Sequence, residues 1–237
     1  MSRDPEVVRE MFDRVAKRYD LANHFLSIGQ DFFWRRRAAG IVAAWRPACV
    51  LDVASGSGDL ALNLQRELPD AQIVGLDFSS AMLDLARRKG VRHLLAGDIL
   101  HLPLAEQSFD AVTVAFGLRN VHDWAAGLRE MRRVLTSAGH VLVLEFSLPS
   151  KPIIGLLYRF YLRRILPFSS RVITKEEEAY RYLGASIENF PSGRPMCDLI
   201  EANGFQNARA ESLTGGIVTI YSAKARQPGR TLNHPAR

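Results

Sequence analysis

Hydrophobic and polar positions fall into two regimes along this chain, with the change near residue 48. Residues 5–45 read as helical. Asp4-Pro5 is a suitable start, with proline at the first helical position, and a break is expected near Ser27-Ile28-Gly29. From 48 onward, short apolar runs alternate with helical periodicity. The runs at 48–54, 72–77, 91–96, 110–116 and 139–147 predict strands, and 57–67, 79–89 and 122–135 predict helices. Runs such as Ile73-Val74-Gly75-Leu76 and Val141-Leu142-Val143-Leu144 are apolar at every position. That suits a parallel sheet covered on both faces.

Residues 151–187 interrupt the alternation with a helical pattern. A helix over 195–203 should end at Gly204, a good C-terminal cap. Two last strands, about 206–213 and 217–224, flank Thr214-Gly215-Gly216, which reads as a tight hairpin. A parallel sheet therefore finishes with an antiparallel strand.

Composition narrows the picture. A chain of 237 residues with 47% hydrophobic content can bury one good core. One α/β domain over 1–225 is expected, with a helical cover at 1–46, a helical insertion at 151–190 and a flexible basic tail at 226–237. The two cysteines, Cys49 and Cys197, match no metal or redox spacing, and their use suits a reducing cytoplasm. No signal peptide is read at the N-terminus, and no apolar run approaches the roughly 20 residues that span a bilayer.

The net charge of +6 leaves nucleic acid, an anionic membrane surface and anionic small molecules as candidate partners. The excess is uneven. Residues 151–171 hold Lys151, Arg159, Arg163, Arg164 and Arg171 without an acid, and 224–237 hold Lys224, Arg226, Arg230 and Arg237 likewise.

The chemistry concentrates at 51–59, Leu-Asp-Val-Ala-Ser-Gly-Ser-Gly-Asp. A strand runs into a glycine turn that opens a helix, and Asp77 follows one βαβ unit later. Glycines admit close backbone approach, a helix N-terminus offers N–H groups, and the later Asp can accept from a ribose. The same stretch satisfies the dinucleotide pattern G-x-G-x-x-[GA]. Three features favour S-adenosyl-L-methionine over NAD. Asp52, Asp59, Asp77 and Asp98 surround the turn, repelling a diphosphate and favouring a sulfonium with its ammonium group. Gly97-Asp98-Ile99 follows the third strand, where a side chain can meet an adenine edge. The terminal hairpin matches a seven-stranded methyltransferase sheet.

The stretch 51–59 resembles the first glycine motif of class I methyltransferases. That resemblance implies a Rossmann-like α/β fold with helices on both faces and an antiparallel last strand. It gives Gly56, Ser57 and neighbouring backbone the methionine end, Asp77 the ribose hydroxyls, and Asp98 with Ile99 the adenine. Asp52 is a further candidate contact. Structural readings stand beside these: Asp52 completing hydrogen bonds to the N–H groups of the turn, and Asp98 capping the turn before Leu102-Pro103.

The flanks go further. YDLANHFLSIGQDFFW at 19–34, TVAFGLRNV at 113–121, RRVLTSAGHVLVLEFS at 132–147, YRYLGASI at 180–187 and SLTGGIV at 212–218 together resemble the UbiE/MenG family of quinone-biosynthesis C-methyltransferases. The likeness spans nearly all of 7–223, and FGLRNV with YRYL-x-x-SI is its most specific part. It implies methylation of a ring carbon of a polyprenylated quinol: demethylmenaquinol to menaquinol, or the methoxy-benzoquinol of the ubiquinone branch. Ionising a ring hydroxyl makes the neighbouring carbon nucleophilic, but a phenol has a pKa near ~10. Arg119 could stabilise the phenolate and Asn120 could orient the same oxygen. The alternative is that both tie down the loop before helix 122–135. His122 is a candidate base or a solvated helix-start residue, and Tyr19 and Tyr182 line a quinol pocket or pack as core aromatics.

A lipid-tailed substrate requires contact with the membrane. Residues 152–166 fit, with Gly155, Arg159 and Arg163 as one stripe on a mostly apolar and aromatic helix. An alternative for the same segment is a core-covering lid. The expected location is the cytoplasm, at the inner face of its membrane, alone or in a homo-oligomer or quinone-biosynthesis complex. No metal-ligand cluster is read. A methyltransferase of another substrate such as RNA would need a basic, aromatic-studded cleft, and 151–171 is too apolar for that. A non-enzymatic cofactor-binding scaffold is the third reading.

The chain departs from the family pattern at four places. Ala22 stands for Met, Asp31 for His, and Thr136-Ser137-Ala138-Gly139 for Lys-Pro-Gly-Gly. Ala115 replaces a Ser that often contacts the cofactor. Ser57 keeps the hydroxyl of the usual Thr.

Overall fold

The computed structural model describes residues 29–149, 151–165 and 177–227. Helix α1 (Gln30–Ala44) leads into β1 (Cys49–Val53), α2 (Asp59–Glu67), β2 (Gln72–Asp77), α3 (Ser80–Lys89), β3 (His93–Ala96) and β4 (Phe109–Ala115). A 3-10 turn at Leu118–Asn120 precedes α4 (Trp124–Val134) and β5 (Leu135–Phe146). Then come α5 (Pro152–Phe160), a π turn at Tyr161–Ile165, α6 (Glu177–Asn189), α7 (Arg194–Ala202), β6 (Phe205–Leu213) and β7 (Val218–Ala225).

The strands form one seven-stranded sheet in the order β3-β2-β1-β4-β5-β7-β6. Neighbours from β3 through β5 run parallel, and β7 lies antiparallel to both β5 and β6. The expected antiparallel ending is present. Successive strand residues feed two cores. Val50, Ala111, Leu142 and Leu144 pack with Trp34, Ala38 and Val42 of α1 and Leu60 and Leu64 of α2. Leu51, Val112, Val141 and Val143 pack on the other face with Leu128 and Met131 of α4 and Met196 and Ile200 of α7. Burial on both faces is why these strands are apolar at every position.

Several predicted boundaries shift for local reasons. The helix expected from 57 begins at Asp59, because Gly58 takes a left-handed φ of 82° and ends the turn. The helix expected from 122 begins at Trp124, where the Asp123 carboxylate accepts the Ala126 N–H at 2.9 Å. The strand expected from 139 starts at Leu135, so Thr136-Ser137-Ala138-Gly139 is a strand segment with a register shift against β4. The predicted hairpin is present, with β6 and β7 paired antiparallel, and its connection at Thr214–Gly216 is a 3-10 turn.

Arg226, assigned by sequence to the tail, is anchored. Its N–H donates to the Gly204 carbonyl at 2.8 Å, and its guanidinium donates to the Glu201 and Phe205 carbonyls at 2.9 Å. The tail from 228, the cover before Gly29 with Tyr19 and Ala22, and residues 166–176 of the insertion lie outside the described residues.

The two glycines of the first turn differ in surroundings. A Cβ on Gly58 would sit 2.5 Å from Val91 Cγ2 and 3.0 Å from Ala86 Cβ, whereas one on Gly56 would meet nothing within 4 Å. Gly58→Ala should lower stability by about 2–4 kcal/mol, through overpacking added to the positive φ. Gly56→Ala should cost about 1 kcal/mol, from backbone strain alone. Urea unfolding of the two variants tests the ranking.

Candidate active site

In the sheet order, β1 and β4 stand side by side although two strands separate them in sequence. Chain connections leave β1 in opposite directions at this point, which opens a crevice outside the strand ends. A cleft of about 1070 Å³, partly open to solvent, lies there. Its lining includes Asp52, Gly56, Ser57, Asp77, Asp98, Ile99 and Asn120. The structure thus brings seven of the eight predicted site residues to one cavity.

Asp77 ends β2 and clamps two loops. Its Oδ2 accepts the Gly56 N–H at 2.8 Å, and its Oδ1 accepts the Ser79 N–H at 2.9 Å. The residue that makes this brace also lines the cleft. Asp52 is buried, and sheet register sets Thr113 beside it. Thr113 Oγ1 donates to Oδ1 and Ser55 Oγ to Oδ2, both at 2.7 Å. Its hydrogen bonds go to hydroxyls, not to the turn N–H groups expected from sequence. Burial pushes its pKa up to about 6, and the two hydroxyls work against that.

Asp98 keeps an exposed position, with Oδ1 accepting the Leu100 N–H at 2.9 Å. Its neighbour Ile99 is buried. The pair presents a carboxylate edge and an apolar face together.

Phe116 ends β4 in a left-handed conformation, φ 58°, costly for a bulky residue. Its ring lies 4.7 Å from Phe146 and 6.1 Å from Trp34, centre to centre. Its carbonyl accepts from the Arg119 guanidinium. Arg119 and Asn120 then diverge. Asn120 lines the cleft, and its Oδ1 is buried without a partner. Arg119 does not line it. Its guanidinium is buried against Glu145 Oε1 at 2.9 Å, and its N–H donates to Glu145 Oε2 at 3.2 Å. Of the two sequence readings for Arg119, the geometry carries the loop-anchoring one. Burial raises the Glu145 carboxyl, and the Arg119 charge works against that. His122, exposed, also lines the cleft, two residues ahead of α4. Tyr182 is half-buried on α6.

Three charged residues at or beside the cleft escaped the sequence reading. Glu145 showed only as an acid in an apolar run, which is itself a signal of a buried partner. Arg35 lines the cleft, with its guanidinium 2.5 Å from Asp31 and 3.9 Å from Asp59. Lys89 Nζ lies 2.7 Å from Asp59 and 3.0 Å from Ser57. The loop is therefore less acidic than its own residues suggest, and repulsion alone is a weaker argument against a diphosphate than expected.

A glycine-lined approach, acids along the strand ends and one unpartnered buried carbonyl fit a nucleoside that carries a cationic arm. Fold and site together define a class I methyltransferase. The chain matches the ubiE/COQ5 methyltransferase family over residues 1–224 and belongs to it. It is a methyltransferase with S-adenosyl-L-methionine as methyl donor. It is 46% identical over 217 residues to the demethylmenaquinone methyltransferase of Thermus thermophilus, covering 89% of this chain and 98% of that one. It is 43% identical over 226 residues to the ubiquinone/menaquinone biosynthesis C-methyltransferase of Syntrophotalea carbinolica, covering 93% and 95%. Among solved structures, a SAM-dependent methyltransferase from Thermotoga maritima has the same fold, with a TM-score of 0.64 at 19% identity over 91% of this chain and 98% of that one.

Two outcomes follow from these buried charges. Arg119→Met strands the Glu145 carboxylate and should cost about 3–5 kcal/mol in urea unfolding, most of it recovered by adding Glu145→Leu. The Asp52 carboxyl has an ordinary value of 3.8 and a folded value of about 6. The stability it contributes is fully present below the lower value and is lost as pH rises through the higher. The loss is about 3 kcal/mol. Unfolding measured from pH 4 to 7 should fall less steeply in Asp52→Asn.

Proposed function

We propose that this protein methylates a ring carbon of a polyprenylated quinol, converting demethylmenaquinol to menaquinol at the inner face of the cytoplasmic membrane. The observation that carries the reading is the 46% identity, over almost the whole of both chains, to a demethylmenaquinone methyltransferase. The cleft supports it.

Asp98 and Ile99 hold the adenine, Asp77 the ribose, and Gly56, Ser57 and Asp52 the methionyl arm. S-adenosylmethionine, when bound, supplies an electrophilic methyl group on its sulfonium. The chain's own residues prepare the acceptor. Phe116 gives the quinol ring a flat apolar wall. Asn120 Oδ1 accepts the hydrogen bond of a ring hydroxyl and so fixes which carbon faces the methyl group. The proton of the second ring hydroxyl, the one beside that carbon, must leave for the carbon to become nucleophilic. His122, the imidazole on this part of the cleft wall, or water beside it, receives the proton. Once the S–CH3 bond has broken and the methyl is on the ring, that carbon loses its hydrogen and the quinol is restored. Arg119 acts at one remove, holding the Phe116–Asn120 turn through Glu145.

The lipid tail has a matching surface. Helix α5 exposes Ile153, Leu156, Leu157 and Phe160, each more than half exposed. Arg159 and Arg164 lie on the same segment, while Arg163 is paired with Glu188 at 2.7 Å. Apolar side chains beside arginines suit the boundary of an anionic bilayer. No helix among the described residues is long and apolar enough to cross a membrane.

The test is purified protein with S-adenosylmethionine and reduced demethylmenaquinone in anionic vesicles, read by mass analysis of the quinone. Menaquinone should form. Asn120→Ala should lower kcat by ~10–100-fold. A combined Ile153, Leu156 and Leu157→Ser variant should lose vesicle binding yet still methylate a short-chain quinol. Methylation of the ubiquinone precursor alone would move the protein to the other branch. No methylation of either quinol would overturn the proposal.

A further inference from the structure

We infer that Arg35 binds the carboxylate of S-adenosylmethionine, and that Asp31 holds the guanidinium in position for it. This rests on the reading that the cleft holds that cofactor.

The cofactor has two cationic groups and one anionic group. The acids of the cleft account for the cations and leave the carboxylate without a host. Asp52, Asp59, Asp77 and Asp98 all line the cavity, so a carboxylate placed among them unaided is repelled. Arg35 is the one Lys or Arg side chain in the lining among the described residues.

Its place in the fold matches the ligand's order. Asp98 follows β3, Asp77 ends β2, and the glycine turn follows β1, so adenine, ribose and methionyl arm cross the sheet in that sequence. The next strand is β4. Arg35 sits between Asp59 at the start of α2 and Phe116 at the end of β4. Its guanidinium carbon is 5.3 Å from the Phe116 ring centre and a guanidinium nitrogen 3.9 Å from the Asp59 carboxylate. That is where the far end of the arm must lie.

The guanidinium is also prepared for the task. Asp31 lies one helical turn earlier on α1 and is buried, and its oxygen is 2.5 Å from one terminal nitrogen of Arg35. At 3.9 Å, Asp59 is beyond hydrogen-bond distance. Asp31 is thus the only side chain that Arg35 hydrogen-bonds among the described residues. A planar fork held at one edge can present its other N–H groups to a second carboxylate. Lys89 is the competing cation, but it lies against Asp59 and Ser57 and does not line the cavity.

Calorimetry on the full chain separates these possibilities, using S-adenosylmethionine and its decarboxylated analogue. Wild type should bind the analogue ~10–100-fold more weakly, the range of a charge-assisted hydrogen bond converted to affinity. Arg35→Gln should lose affinity for S-adenosylmethionine by a similar factor and hold both ligands within ~3-fold of each other. Lys89→Met should keep the wild-type gap. If Arg35→Gln does not fold, Arg35→Lys serves, with a gap reduced but not closed. Equal binding of the two ligands by wild type overturns the assignment, and so does a gap that survives loss of Arg35 or closes on loss of Lys89. Failure of wild type to bind either ligand would instead overturn the cofactor reading.

Discussion

The Asp77 carboxylate is the constraint on which the cleft depends. One oxygen takes the N–H of Gly56 and the other that of Ser79. The turns after β1 and β2 are thereby fixed to each other, and the open face of the glycine turn is directed into the crevice. A neutral side chain of similar shape would offer one acceptor and lose half of the brace. The same acid lines the cavity. The brace and the proposed ribose contact therefore fall on one group, so a substitution there would touch both.

A second layer of buried charge shapes the opposite wall. Arg119 and Glu145 are paired in a region nearly free of water, and the Phe116 carbonyl shares the same guanidinium. Such a pair offers little net stability compared with apolar packing. Its value is geometric, because it holds an aromatic residue in a conformation it would otherwise leave. Arg35 and Asp31 repeat the device on α1, and Trp34 anchors that helix by donating to Thr214 Oγ1 at 2.8 Å. The cleft wall at Phe116 is thus set by ion pairs, and the wall along the ends of β1 to β3 by backbone and carboxylates.

The strands and the residues that gather at the cleft from the ends of β1 to β3 were legible because their causes are local. Residues 51–59 carry the strand, turn and helix start within nine positions, and Asp77 and Asp98 each follow an apolar run. Terminal boundaries were less legible. Asp123 fixes the start of α4 by a cap, a signal weaker than the apolar pattern around it. The partners of Arg119 and Trp34 were not legible at all. Glu145 is 26 residues from the first and Thr214 is 180 from the second, and no periodicity links them. The motifs around those residues, FGLRN, LEFS and LTGG, marked importance without giving the contact. Arg35 was hidden for another reason: three consecutive arginines on a helix read as a solvated face, and only packing shows which one turns inward.

Strand β5 lies between β4 and β7, and β7 ends at Ala225. Val141 to Leu144 on its outer edge therefore wait for partners from the far end of the chain. During synthesis this apolar edge stays unpaired until the last strands leave the ribosome, although every predicted nucleoside contact has emerged long before. An open apolar edge is a template for pairing with another chain. The newborn protein thus carries an open apolar edge after the residues of the cleft have been made, and only the arrival of β7 closes it.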